Sequence, residues 1–164
     1  TFVDNHDTQI GQSLESWVES WFKRHAYSFI LLRDVGTPCV LYLDLYGNES
    51  MNIDKVQGLD KLINLRKNHM NGTFYDYKDE SKTIGWCYTG DDSGEGFVAL
   101  LNTGTRTIKR MFVGKRNANR SYVNIFDPSQ TVETDNDGIG YFSVLEKECA
   151  IYLNTGGTYA TGIL

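Results

Sequence analysis

Near Lys78 the pattern of this chain changes to short segments separated by turn signals, and that change constrains its fold more than any other feature. The turn signals are Gly90-Asp91-Asp92-Ser93-Gly94, Asn102-Thr103-Gly104, Asp127-Pro128-Ser129 and Asp135-Asn136-Asp137-Gly138. Regular alternation of strand and turn predicts an antiparallel β-sandwich. Its strands are expected near residues 83–88, 97–101, 107–113, 122–126, 131–133, 141–145 and 149–153. The last segment, 154–164, is rich in Gly and Thr and reads as a loose tail.

Upstream of Lys78 the pattern is that of an α/β unit. Thr1-Phe2-Val3 reads as the end of a strand. Residues 14–34 have helical spacing, with Trp17, Trp21, Phe22, Phe29, Ile30 and Leu32 on the apolar side and Gly36 as a stop. Thr37-Pro38 breaks the helix, and residues 39–43 form an unbroken apolar run. A strand apolar at every position is buried on both faces, as in a parallel sheet covered by helices. A second helical pattern covers 56–68, with Leu59, Leu62, Ile63 and Leu65 on its buried side. Two strands do not make a stable parallel sheet, so this unit reads as the end of a larger one. By itself it should expose apolar surface and favour aggregation or self-association.

The chain has 164 residues, 40% hydrophobic and 13% aromatic, enough for one ordinary domain or two small units. Sixteen basic residues against 21 acidic ones give a net charge of −5, and no basic stripe accompanies the aromatics. That argues against a nucleic-acid partner. No apolar run approaches the roughly 20 residues that span a membrane. Cys39, Cys87 and Cys149 each sit in an apolar run, without metal or redox spacing. Free buried thiols lean towards the cytoplasm and are compatible with a secreted protein. Three Asn-x-Ser/Thr sequons, at Asn48, Asn71 and Asn119, are short enough to arise by chance.

Chemistry concentrates at Asp4-Asn5-His6-Asp7, directly after the first strand. In barrels of parallel strands, catalytic groups sit at the C-terminal strand ends. A carboxylate there can stabilise positive charge or hold a sugar hydroxyl, and a histidine can donate to one. The same four residues also suit an ordinary strand-to-helix turn. A metal site is disfavoured, because no second cluster of ligand types accompanies them.

Thr1-Phe2-Val3-Asp4-Asn5-His6-Asp7-Thr8-Gln9 resembles the fourth conserved region of the α-amylase family of glycoside hydrolases. The likeness continues through Gln12-Ser13-Leu14-Glu15-Ser16-Trp17, Trp21-Phe22-Lys23, Ala26-Tyr27, Phe29-Ile30-Leu31-Leu32-Arg33, Gly36-Thr37-Pro38-Cys39-Val40, Tyr42 and Asp44-Leu45-Tyr46-Gly47. Ile84-Gly85-Trp86, Gly96-Phe97-Val98-Ala99-Leu100, Lys109-Arg110-Met111 and Val113-Gly114 resemble that family's C-terminal sandwich, so the likeness runs over residues 1–153. It is of the bacterial liquefying type.

The resemblance implies a fold class of α/β plus β. Residues 1–77 would supply strands seven and eight of a (β/α)8 barrel with their helices, and residues 78–153 the antiparallel sandwich. It implies a retaining endo-hydrolase of α-1,4-glucans such as starch, glycogen or maltodextrin. Asp7 matches the carboxylate that stabilises the oxocarbenium-like transition state, and His6 the histidine that binds the same sugar. Asp4 and Asn5 would shape the loop. Retaining cleavage also needs a nucleophile and an acid/base about 5 Å apart. In the family these are an Asp and a Glu on earlier strands, upstream of the match to Thr1. The chain alone is therefore expected to be inactive, with α-glucan and the upstream part of the barrel as its partners. The alternatives are a non-catalytic glucan-binding piece and a structural remnant.

Two departures stand out. Leu43 occupies a position usually held by Gly before the Asp-x-Tyr-Gly turn. In many relatives a calcium ion also bridges barrel and sandwich, with acidic ligands near Ser81-Lys82 and Thr103. None of these is acidic here, and Lys82 would repel a cation, so this calcium is expected to be absent. The family's main calcium site would lie upstream. Glu15, Glu19, Asp91, Asp92 and Glu95 read as surface or loop groups. His25 and His69 read as surface or satisfied histidines. Trp17 and Trp21, four apart, read as one packed helix face, and Trp86 as sandwich core.

Overall fold

The computed structural model describes residues 1–155. The chain divides into two compact units, Thr1–Asn64 and a second from Leu65 onward. The division falls inside a helix, α3 (Leu59–Asn68).

The first unit is helical. Helix α1 (Ser20–Leu31) turns Tyr27 and Leu31, one turn apart, out of water. Helix α2 (Tyr42–Tyr46) is short and ends on Gly47 at φ 75. A 3-10 turn follows at Glu49–Met51, with Asn48 Oδ1 accepting from Met51 N. Leu59, Leu62 and Leu65 make the buried stripe of α3, at the spacing expected for it.

Two expectations for this unit need correction. Helix α1 starts at Ser20, not near residue 14, so Trp17 lies outside it and does not share a helix face with Trp21. Ahead of α1 the backbone turns repeatedly: Gln12 N donates to Gln9 O, Ser16 N to Thr8 O, and Gly11 sits at φ 85. Asp4 Oδ1 then takes the N–H of Val18, which a continuous helix would have used. The apolar run 39–43 is likewise not a strand. Its only ladder contact among the described residues is a parallel bridge, Phe2 to Cys39, with Cys39 N donating to Thr1 O at 2.8 Å. A strand persists only where neighbours take up its backbone groups; here α2 begins at Tyr42 instead.

The second unit consists of antiparallel strands. They are β1 (Phe74–Tyr77), β2 (Thr83–Asp91), β3 (Gly94–Asn102), β4 (Thr107–Phe112), β5 (Ser121–Asn124), β6 (Thr131–Glu133), β7 (Ile139–Val144) and β8 (Cys149–Asn154). Six form one sheet in the order β1-β2-β3-β8-β5-β6, and β4 pairs with β7 in another. The two sheets share a core. Cys87, Val98, Leu100, Tyr122, Ala150 and Tyr152 come from the larger sheet, Met111, Phe142 and Val144 from the smaller. The seven strands expected from the turn spacing are all present. Strand β1, within the segment grouped with the barrel by its sequence, is an edge strand of the larger sheet, with Tyr75 and Tyr77 against the core. Trp86 is fully buried on β2. Asn154, expected to open the tail, is the buried last residue of β8; residues 156–164 lie outside the described residues.

Close backbone approaches require glycine at two positions beside β2. A Cβ on Gly96 would lie 1.9 Å from Tyr88 O, and one on Gly72, at φ 80, would lie 2.1 Å from Gly90 O. Only glycine fits there.

Candidate functional site

The loop after Phe2-Val3 is organised by two side chains. Asn5 Oδ1 accepts the N–H groups of Asp7 and Thr8, both at 3.0 Å, and Asn5 N donates to Thr8 Oγ1 at 3.1 Å. This Asx turn lifts His6 and Asp7 to the surface. Their side chains are 84% and 58% exposed, with His6 Nε2 3.3 Å from Asp7 Oδ1. An exposed carboxylate beside an imidazole can accept from, and donate to, hydroxyls of one ligand.

Asp4 does the opposite and turns inward. It is buried, and Oδ1 takes Val18 N at 3.2 Å, closing the excursion between the two residues. Its Oδ2 faces Lys23 Nζ at 3.0 Å, a close ion pair without hydrogen-bond alignment. The same ammonium lies 2.5 Å from Asp44 Oδ1 and 3.3 Å from the centroid of the Trp17 ring. Asp44 Oδ2 takes the Tyr27 hydroxyl at 2.5 Å, and Leu41 N donates to that hydroxyl at 3.3 Å. Burial, then the hydrogen bond and the charge of Asp44, push the Tyr27 phenol far above its ordinary range. It therefore stays a neutral donor.

Lys23 and Tyr27 are four residues apart on α1 and so share a face. Together they hold both the base of the His6–Asp7 loop and the start of α2. The sequence motifs contain Lys23, Tyr27 and Asp44, but nothing in their spacing assigned them this shared role. Their joining depends on side chains from three separate segments.

The other candidates make local contacts away from this loop. Glu15 Oε2 takes Gly11 N at 2.8 Å, and Asp91 takes Ser93 N at 2.8 Å. Asp92 pairs loosely with Arg116 at 3.7 Å. His25 is buried between Trp21 and Phe22, at ring distances of 5.6 and 5.4 Å. His69 Nδ1 contacts Glu95 O at 2.9 Å.

The residues at the expected bridging calcium position do not suit the ion. Lys82 O already accepts from Thr103 N at 2.9 Å and Thr103 Oγ1 at 3.3 Å. Among the described residues no group of three or more His, Cys, Asp or Glu is placed to hold a metal. None of the described helices is long and apolar enough to cross a membrane.

No protein-family model matches the chain. Curated relatives do. An α-amylase of Geobacillus stearothermophilus is 41% identical over 98% of this chain and 30% of its own length. A glucan 1,4-α-maltohexaosidase of Bacillus sp. (strain 707) is 35% identical over 94% of this chain and 30% of its own. The crystal structure of an Anoxybacillus α-amylase superposes with a TM-score of 0.68, covering 94% of this chain and 37% of that one at 18% identity, a likeness of fold. The chain belongs to the α-amylase family and corresponds to its C-terminal part. It spans about 30% of the length of these curated relatives.

Proposed function

We propose that this chain is part of a retaining endo-hydrolase of α-1,4-glucans, in which Asp7 stabilises the transition state and His6 binds the sugar being cleaved. The observation that carries this reading is the braced loop itself. His6 and Asp7 stand side by side, exposed, directly beyond a segment paired in parallel with Cys39. That is the C-terminal end of a strand position, where barrel enzymes keep their chemistry. On this reading the part of the chain ahead of β1 completes a (β/α)8 barrel as its seventh and eighth strand positions with their helices. The strands from β1 (Phe74–Tyr77) to β8 (Cys149–Asn154) form the appended sandwich.

Cleavage proceeds through two carboxylates about 5 Å apart. One attacks the anomeric carbon while the other protonates the leaving oxygen; water then hydrolyses the glycosyl-enzyme. Both belong to segments outside these 164 residues. Asp7 acts beside them: its negative charge favours the developing oxocarbenium ion, and its oxygens grip hydroxyls of the same sugar. The family's calcium belongs with those other segments too, since the residues here do not suit it.

The test is starch hydrolysis by the full-length protein carrying this chain, with and without Asp7→Asn. A loss of about 10²–10³-fold in kcat is expected for removing one preorganised electrostatic group. Full activity of the variant would sink the assignment. Residues 1–164 alone should release no sugar, and release would show that the chain is catalytically sufficient.

A further inference from the structure

Among the described residues of the first unit, Lys23 is a buried cation shared by two buried carboxylates, Asp4 and Asp44. We infer that Lys23 is a positioning residue for Asp7, acting through Asp4; the inference rests on the reading of Asp7 just given.

The chain of contacts is short. Lys23 holds Asp4 from α1; Asp4 ties down Val18 and is followed at once by Asn5, whose side chain fixes the backbone of Asp7. Lys23 is itself held from the far side by Asp44 and from above by the Trp17 ring. Tyr27 saturates the remaining oxygen of Asp44. Each member is thus constrained by a neighbour, and the ammonium is the only positive group within this set.

Removing its charge leaves two buried carboxylates without a counter-ion. Buried unpaired charge is strongly unfavourable, so the group relaxes by moving into water or taking up a proton. Asp4 is at the loop base, and its displacement carries Asn5 and Asp7 with it. The charge of Asp7 counts most in the transition state, where the oxocarbenium ion develops, so misplacing it lowers kcat more than it raises KM. A purely structural role for Lys23 would lower the melting temperature and leave the turnover of the folded fraction intact.

The experiment uses the full-length protein and a chromogenic maltoheptaoside as substrate. Lys23→Met should lower kcat by about 10²-fold with KM changed less than about threefold, the scale of a displacement of roughly 1 Å. Lys23→Arg, which restores the charge, should recover kcat to within about tenfold of wild type. Asp4→Asn keeps an acceptor for Val18 N but presents an amide to the ammonium; it should lower kcat about tenfold. Lys109→Met is the control. Lys109 is as buried and is also paired with two acids, Asp79 at 2.6 Å and Glu80 at 2.9 Å, but on β4. It should lose stability and keep kcat.

Lys23→Met and Asp4→Asn each within about twofold of wild-type kcat would overturn the inference while Asp7→Asn remains inactive. Should Lys23→Met not fold, Asp4→Asn alone decides. An inactive wild type, or an active Asp7→Asn, overturns the reading of Asp7 and this inference with it.

Discussion

The side-chain oxygen of Asn5 accepts the backbone N–H of Asp7 at 3.0 Å, so the position of the carboxylate is set by the residue two places before it. The loop is an Asx turn whose geometry depends on an acceptor at Asn5. Asn5→Ala removes the acceptor for both Asp7 and Thr8. In the full-length protein it should reduce starch hydrolysis about tenfold, whereas Asn5→Asp, which keeps the acceptor, should stay much closer to wild type. Equal activity of the two variants would show that the turn does not position Asp7.

The three thiols should react in a fixed order. Cys39 is exposed, while Cys87 and Cys149 are buried. Burial pushes the Cys87 thiol up to about 12, so almost no thiolate is present near neutral pH. In the chain alone, a disulfide reagent should label Cys39 first and the other two only on unfolding. In the full-length protein the (β/α)8 proposal expects Cys39 to be slowed, because both faces of its segment would be covered. Equally fast labelling in both would count against that part of the proposal.

Exposed apolar side chains in the first unit include Phe2, Leu14, Trp21, Phe29, Tyr42 and Tyr46. Apolar surface of this kind drives association. The chain alone should therefore run larger than a monomer, or bind a hydrophobic dye, in concentration-dependent light scattering and fluorescence measurements. A monodisperse monomer that binds no dye would refute this.

Tyr77 makes the alkaline side of the sandwich measurable. Burial, with the nearby Cys87 thiol adding to it, pushes its phenol up to about 12, and its hydroxyl donates to Phe112 O at 2.6 Å. A raised value means that folding favours the protonated form. This contribution is present in full below the ordinary tyrosine value near 10 and is lost as pH rises towards about 12. Denaturant titrations across that interval should show stability falling with pH, and Tyr77→Phe should flatten the fall. An unchanged slope would mean that other groups control it.

On the acid side, Asp135 works in the opposite sense. Backbone N–H groups of Ile139 and then Asp137 hold its carboxyl below the usual range, at 2.9 and 2.8 Å. A depressed value means that the charged form is favoured by folding. The contribution exists above the ordinary carboxylate value, about 4, and disappears as pH falls through the folded one. Asp135→Asn should therefore show a smaller drop in melting temperature on acidification than wild type.

The amino-acid sequence by itself determined the second unit almost completely. Its strands are bounded by Gly, Asp and Asn turns, and local turn chemistry together with short apolar runs is readable without knowing any partner. Only β1 escaped, because Phe74-Tyr75-Asp76-Tyr77 lies ahead of the change in pattern and joins an edge through long-range pairing with β2. The candidate site was legible as a motif: Asp4-Asn5-His6-Asp7 marks the place, and the turn reading of the same residues also holds, since Asn5 makes the turn that presents His6 and Asp7. What only the tertiary structure decided is the division of labour among the acids. Asp4 and Asp7 are the same residue type three places apart, yet one is buried against Lys23 and the other faces water. The run at residues 39–43 likewise followed its surroundings and not its composition, because a strand exists only where neighbouring backbone completes its hydrogen bonds. Lys23, Tyr27 and Asp44 were individually visible in the sequence, but their meeting around one ammonium is a property of three folded segments and of no one of them.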